Sequence, residues 1–234
     1  MAQRPPPMRY QLQDLLIKQG SLLIFGAPGV MKSWLSLQLG FCLATGQPFV
    51  SIPVEQARTL IINFEIASHG YHWRVIDMGG NYEVQPQYFY ELTEHMLFIE
   101  DDANLEYLAE KMRPVAPEVI ILDCMSCFFG GDENNGEQVG KLWYNMRRLA
   151  QEYEASIVLV HHDNKNMFAS GLASARGSTR IIGYVDSVIR MVEQPSCKQL
   201  QFLKARHARG VLPRSFNVFF ENYSFVRHER QQQE

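Results

Sequence analysis

Short apolar runs alternate along the chain with segments whose apolar residues recur at helical spacing. The runs predict buried strands, and they are SLLIFG from Ser21, RTLIINFE from Arg58, HMLFIE from His95, EVIILDC from Glu118 and SIVLVHH from Ser156. The helical segments between them begin at Lys32, His69, Asn104 and Glu137. Strands that alternate with helices indicate a mostly parallel sheet covered on both faces, so the predicted fold class is α/β.

The pattern changes after His162. HDNKNMFASGLASARGSTR is rich in Ser, Ala, Gly and Asn and has little apolar periodicity, which is typical of a functional loop. The runs VDSVIRMVE, KQLQFLKAR and SFNVFFENYSFVR predict strands joined by turns, so the sheet should end in antiparallel strands. We therefore expect an N-terminal arm and helix in 1–18, including the amphipathic stretch YQLQDLLIKQG, one domain in 19–228 and a frayed tail in 229–234.

The composition is that of a globular protein with a substantial core, since 46% of the 234 residues are hydrophobic and 12% are aromatic. Four scattered cysteines are too few for a disulfide framework, which favours a reduced, cytoplasmic setting. No apolar run approaches the roughly 18 residues of a membrane span, so no membrane partner is expected.

Charge is segregated along a chain whose net charge is only −3. From Asn81 to Glu137 two basic residues accompany thirteen acidic ones, whereas from Asp163 to Arg214 nine basic residues accompany three acidic ones. Such segregation suits a protein that holds a polyanion on one face, and solvated loops explain it equally well.

GAPGVMKS, from Gly26 to Ser33, lies between a predicted strand and a predicted helix and matches a phosphate-binding loop. Such a loop needs inward-facing backbone N–H groups, a helix N-terminus, a lysine for the outer phosphates and a hydroxyl for Mg²⁺. The predicted nucleotide-contacting residues are Gly26, Ala27, Pro28, Gly29, Val30, Met31, Lys32, Ser33 and Trp34. Met31 departs from the motif, because a glycine is expected at that position. ATP and Mg²⁺ are the predicted cofactors.

Two acidic residues end predicted strands. Asp123 closes EVIILD, where a carboxylate can hold Mg²⁺ together with Ser33. Glu65 closes RTLIINFE, and we expect this strand next to the P-loop strand, where Glu65 can polarise the attacking water. By contrast, Cys124 and Cys127 form a C-x-x-C without a second ligand pair at zinc spacing, so packing is the expected role of both.

Five motifs in order resemble the RepA-type hexameric helicase ATPases and their broader RecA/DnaB-like relatives. They lie in four stretches, which are GAPGVMKSWLSLQLGFCLATGQPF, LIINFE, VIILDCMSCFFGGDENNGEQVGKLWYNMRRLAQEYEASIVLVHHDNK and ARGSTRIIGYVDSVIRM. The resemblance covers roughly residues 15 to 210. It implies a RecA-like P-loop core and an ATPase that acts on single-stranded DNA as a homo-oligomeric, hexameric ring. The implied role is that of a replicative helicase or translocase.

The resemblance also implies roles for individual residues. A histidine that closes the strand after the long helix would sense the γ-phosphate; His162 is ranked above His161, and the choice between them stays open. The loop after it would hold single-stranded DNA through Lys165, Arg176 and Arg180. The loop FFGGDENNGEQ is a second candidate for the channel, but its acidic residues suit phosphates poorly.

Lys204 and Arg206 resemble the lysine and arginine that subunits of this family extend into the neighbouring nucleotide, and Arg209 is a further candidate nearby. This role requires an oligomer. The alternative hypothesis is a regulatory or recombination-mediator ATPase of the RecA superfamily that binds DNA or a protein without unwinding. A small-molecule P-loop kinase is disfavoured, because the sequence lacks an evident arginine-rich lid.

Overall fold

The computed structural model of the chain describes residues 7–162 and 179–228. Its strands are β1 (Tyr10–Leu12), β2 (Leu16–Ile17), β3 (Ser21–Gly26), β4 (Thr59–Asn63), β5 (Phe89–Thr93), β6 (Val119–Asp123), β7 (Ser156–His162), β8 (Ser187–Glu193), β9 (Lys198–Ala205), β10 (Ser215–Glu221) and β11 (Ser224–Val226). Its helices are α1 (Lys32–Thr45), α2 (Ser68–Gly79), α3 (Asp102–Met112), α4 (Met125–Phe128), α5 (Gly136–Gln151) and α6 (Thr179–Tyr184).

A nine-stranded sheet forms the centre of the fold, in the order β11-β10-β9-β8-β3-β7-β6-β4-β5. The strands from β8 to β5 in this order pair in parallel. The strands from β8 to β11 pair antiparallel. The predicted α/β fold, with a mostly parallel sheet and antiparallel strands at its C-terminal end, is therefore confirmed.

The inner strands are apolar at successive positions because helices cover both faces of the sheet. Every residue of β3, β4 and β6 is buried. Side chains alternate across a strand, so Leu22 and Ile24 pack into the core beneath α1, whereas Leu23 and Phe25 pack into the core beneath α3 and α5. The continuous apolar runs of the sequence thus reflect burial on two sides.

The helix predicted near the N-terminus is wrong, since β1 and β2 form a small antiparallel sheet there. Leu12, Leu15 and Leu16 have helical spacing and are all buried, but a turn between two short strands brings them to the core. Asp14 has a positive φ of 60° in this turn, and its carboxylate accepts hydrogen bonds from the backbone N–H groups of Arg209 and Gly210. Contacts with a remote part of the chain therefore determine the structure here, although the spacing of the three leucines favours a helix.

Two further predictions about strands are wrong. HMLFIE is not a strand: β5 precedes it and is only half-buried along its length, so it lacks a continuous apolar run. The strand before Glu65 does not lie next to the P-loop strand, because β7 and β6 separate β4 from β3.

In the part of the chain that the structure describes, no helix combines the length and the apolar character needed to cross a bilayer.

The last strand is fastened to the first long helix by one buried side chain. The amide group of Gln38 in α1 donates to the Phe225 carbonyl at 2.8 Å and accepts from the Phe225 N–H at 2.7 Å. Gln38 is only 4% exposed. It thus substitutes for a neighbouring strand at this end of β11.

We expect Gln38→Leu to lower the free energy of unfolding by about 2–4 kcal/mol, since two buried backbone groups would lose their partner. Urea denaturation measures the change. Gln151→Leu, at the exposed end of α5, is the matched control and should change stability by less than about 0.5 kcal/mol. Equal effects of the two substitutions would contradict the role of Gln38.

Candidate functional site

The loop between β3 and α1 is shaped by close packing and by two left-handed residues. A Cβ at Gly26 would lie 2.3 Å from the Met191 carbonyl oxygen, so only glycine fits at the end of β3. Gly29 has φ +82° and Met31 has φ +76°. Met31 thus takes the backbone conformation that the expected glycine would take, immediately before the first residue of α1.

Lys32 lies at the first position of α1 and reaches back over the loop. Its ammonium group donates to the Ala27 carbonyl at 3.0 Å and to His162 Nδ1 at 3.0 Å. The residue is only 4% exposed. The positive end of α1 and this ammonium group together make the loop suitable for binding the phosphates of a nucleotide.

Asp123 ends β6 beneath the loop and is buried. Burial raises the pKa of this carboxyl to about 6, and the hydroxyls of Ser36 and Ser33 act in the opposite direction. The Ser36 hydroxyl donates to Oδ2 at 3.0 Å, whereas Oδ1 is buried and has no hydrogen-bond partner among the described residues. An unpartnered carboxylate oxygen close to the Ser33 hydroxyl fits a hydrated Mg²⁺ ion.

Glu65 lies two residues beyond β4, in a turn that the Asn63 side chain fixes. Asn63 Oδ1 accepts from the backbone N–H groups of Glu65 at 3.3 Å and Ile66 at 2.9 Å. The hydrogen bond from His162 lowers the pKa of the Glu65 carboxyl, partly opposed by burial. Glu65 is therefore ionised at neutral pH. Its side chain is 38% exposed, and the residue lines the loop cavity.

The two histidines at the end of β7 lie in different surroundings, because side chains alternate across a strand. His162 lies between Lys32 and Glu65, with Nε2 3.5 Å from Glu65 Oε1. His161 is 1% exposed, and its Nε2 lies 3.4 Å from Glu133 Oε2. Of the two, His162 is the one that lines the loop cavity.

The far side of the cavity is aromatic. Trp34 stacks on Tyr223 with ring centroids 5.9 Å apart and makes an edge contact with Phe220 at 5.3 Å. The Arg74 guanidinium lies over the Trp34 ring at 5.2 Å. The cavity measures about 220 Å³ and is lined by Gly29, Met31, Lys32, Ser33, Trp34, Glu65, Ile66, Arg74 and His162.

Sequence reasoning missed Arg74. The residue lies in α2, and only its position shortly after Glu65 could have suggested a place near the nucleotide. Arg74 lines the cavity, and its guanidinium could contact either a phosphate group or the ring of a nucleobase there.

The predicted trans-acting residues lie elsewhere. Lys204 donates to the carbonyls of Ile182 at 2.7 Å and Val185 at 2.5 Å, and burial lowers its pKa. Arg206 donates to Asp186 Oδ1 at 2.9 Å. Both side chains thus contact α6 and the segment after it, and neither lines the cavity beside the P-loop.

Of the predicted DNA-binding residues, Lys165 and Arg176 lie outside the described residues. Arg180 lies in α6, and its side chain is exposed. Its guanidinium packs so closely on Gly136 that a Cβ there would lie 1.5 Å from Arg180 Nη1. Arg180 therefore adjoins the first residue of α5.

These features define the class of protein. A parallel sheet, a glycine-containing loop that leads from strand to helix, the loop lysine and a buried aspartate at the end of a nearby strand are the core of a P-loop ATPase, which binds nucleotide. The chain belongs to the AAA domain family, whose family model matches residues 1–167. A search of the curated proteins found no match.

The conformation of Met31 gives a test of the loop. We expect Met31→Gly to be more stable than Met31→Ala by about 1 kcal/mol, because a left-handed backbone costs a residue with a Cβ about 1–2 kcal/mol. Comparing the two variants removes the contribution of the methionine side chain, and urea denaturation measures both.

Ala109 in α3 provides the control position. There the order should reverse, so that Ala109→Gly is less stable than the parent by about 0.5–1 kcal/mol. If glycine destabilised both positions relative to alanine, the left-handed conformation of Met31 would be refuted.

Proposed function

We propose that the chain is an ATP-hydrolysing motor that acts on single-stranded DNA, in the form of a ring-shaped replicative helicase or translocase. The observation that carries the proposal is the contact series from Lys32 through His162 to Glu65. It joins the phosphate-binding lysine to a carboxylate suited to activating water. His162 is also the last residue of β7, and Lys165 and Arg176 follow it in the sequence.

Each side chain of the site has a separate role in ATP hydrolysis. Lys32 holds the outer phosphates, and Glu65 orients the attacking water and accepts its proton. Ser33 and Asp123 hold Mg²⁺, which when bound neutralises charge on the phosphates. His162 can donate to a phosphate oxygen and is well placed to report its presence to the segment that follows β7.

Action on DNA and assembly into a ring rest on further features. The basic stretch from Asp163 to Arg214 carries Lys165, Arg176 and Arg180, which suit contacts with the DNA backbone. Arg206 is 47% exposed at its side chain and does not line the cavity of its own chain. Both facts suit a residue that completes the nucleotide site of a neighbouring subunit in a hexamer.

A regulatory ATPase that does not unwind DNA is the second candidate. It is favoured by the loop between α4 and α5, where Asp132 and Glu133 place negative charge in a predicted channel segment. Carboxylates in such a place oppose contact with phosphates.

We expect Glu65→Gln to lower kcat for ATP hydrolysis by at least about 100-fold while ATP affinity changes little, because the amide keeps the shape and loses the basic oxygen. Lys32→Ala should lose both affinity and turnover. Steady-state hydrolysis and equilibrium ATP binding measure the two quantities. Glu94→Gln, whose side chain bonds to Tyr107 outside the cavity, is the matched control. Full turnover in Glu65→Gln would refute the catalytic role.

Single-stranded DNA should raise the ATPase rate of the parent protein, and a forked duplex should be separated. Arg206→Ala should keep ATP binding and lose about 10³-fold or more in hydrolysis, because the neighbouring site would lack its arginine. Arg214→Ala is the control, since Arg214 is also exposed. Stimulation by DNA without strand separation would favour the second candidate. Full-rate hydrolysis by a monomer would rule out the arginine role.

A further inference from the structure

Three side chains that can bind metal meet beside the P-loop. Cys124 Sγ lies 3.3 Å from His162 Nε2, which in turn lies 3.5 Å from Glu65 Oε1. One donor atom from each of the three lies within 4.8 Å of the others. Cys127 Sγ is 3.8 Å from Cys124 Sγ but does not belong to this group of three.

These separations match a tetrahedral zinc site. With a Zn–S bond of about 2.3 Å and Zn–N or Zn–O bonds of about 2.0–2.1 Å, tetrahedral ligands lie about 3.5–3.6 Å apart for sulfur and nitrogen and about 3.3–3.4 Å apart for nitrogen and oxygen, within about 0.3 Å of the two observed separations. A set of thiol, imidazole and carboxylate also selects Zn²⁺ over Mg²⁺, which prefers oxygen ligands. We infer that the chain has a regulatory zinc site formed by Glu65, Cys124 and His162, with water as the fourth ligand.

The fold holds these ligands on neighbouring strands. Glu65 follows β4, Cys124 follows β6 and His162 ends β7, and the three strands are consecutive in the sheet. His162 and Glu65 line the P-loop cavity, so an ion can reach them from solvent, whereas Cys124 is buried behind them. The ligands come from distant parts of the sequence, which is why the spacing of the two cysteines alone gave no zinc signal.

Binding of zinc would rearrange protons at the site. The Cys124 thiol gives its proton to solvent as the sulfur binds the ion. Coordination through His162 Nε2 leaves the ring proton on Nδ1, so the Lys32 ammonium turns from Nδ1 to the Ala27 carbonyl that it already contacts.

Zinc at this position occupies the two side chains that hydrolysis needs. A Glu65 carboxylate bound to zinc is a much weaker base for water, and zinc on Nε2 fixes the His162 ring so that it can no longer turn with the phosphate. This step rests on the proposed function, and it predicts an ATPase that zinc inhibits by lowering kcat. The nucleotide-binding residues of the loop stay free, so KM should change little.

The site itself is tested by titrating the nucleotide-free protein with Co²⁺ under a non-thiol reductant. We expect one bound ion with a thiolate charge-transfer band and the absorption of tetrahedral cobalt, which Zn²⁺ displaces. Cys124→Ser should abolish the band and weaken Zn²⁺ binding by at least about 100-fold. Cys197→Ser, in the turn after β8, is the matched thiol control and should behave like the parent.

A second substitution covers the case in which Cys124→Ser, a change at a buried residue, prevents folding. His162→Ala alters a ring that is 25% exposed and should also lose the tetrahedral spectrum. If the parent shows no thiolate band, or if a folded Cys124→Ser or His162→Ala variant keeps it, the zinc site is overturned.

Inhibition is tested separately, with free Zn²⁺ buffered and Mg²⁺–ATP saturating. The parent should lose at least about 10-fold in kcat at saturating zinc, and Cys124→Ser should resist relative to its own rate without zinc. A parent without ATPase activity would refute the proposed function, while the cobalt spectrum would still decide the metal site. A parent that binds zinc and hydrolyses ATP at an unchanged rate would overturn the regulatory role.

Discussion

The parallel register of β3, β7, β6 and β4 is the constraint on which the site depends. Gly26 pairs with His162 across β3 and β7, and Asp123 pairs with Asn63 across β6 and β4. Parallel strands end at the same edge of a sheet, so residues far apart in sequence come together there. A slip of one residue in β7 would turn His162 away from the loop and bring His161 into its place.

Burial gives the two carboxylates of the site different pKa shifts, which suit the different roles proposed for them. Asp123 is enclosed, and burial raises its pKa because the charged form is poorly solvated there. A nearby cation would stabilise that charged form. Glu65 is more exposed, and His162 lowers its pKa, so it carries its charge without a metal. Two acidic residues on nearby strands can thus serve as an ion ligand and as a base because their surroundings differ.

The features that could be predicted from the sequence are those fixed by local chemistry. The alternating pattern gave the α/β fold, and the loop from Gly26 to Ser33 was recognised because its backbone requirements fall within eight residues. Contacts between distant segments determine three other features, and the spacing of apolar residues within one segment does not encode such contacts. These features are the position of β4, the β1–β2 hairpin and the place of Arg74. Cys124 was assigned to packing for the same reason, since its partners in space come from other strands.

The proposed zinc site shares Glu65 and His162 with the proposed hydrolytic site. In its proposed role as a base, Glu65 needs a free carboxylate oxygen, and in its proposed role as a sensor, His162 needs a ring that can turn with the phosphate. Cys124 Sγ and Glu65 Oε1 both lie close to His162 Nε2, so zinc would bind these same two side chains. A substitution of Cys124 that relieves inhibition by zinc must therefore act without moving His162, since Cys124 Sγ packs directly against its ring. Inhibition by zinc and the orientation of the His162 ring, the proposed phosphate sensor, thus depend on the same contact between Cys124 and His162.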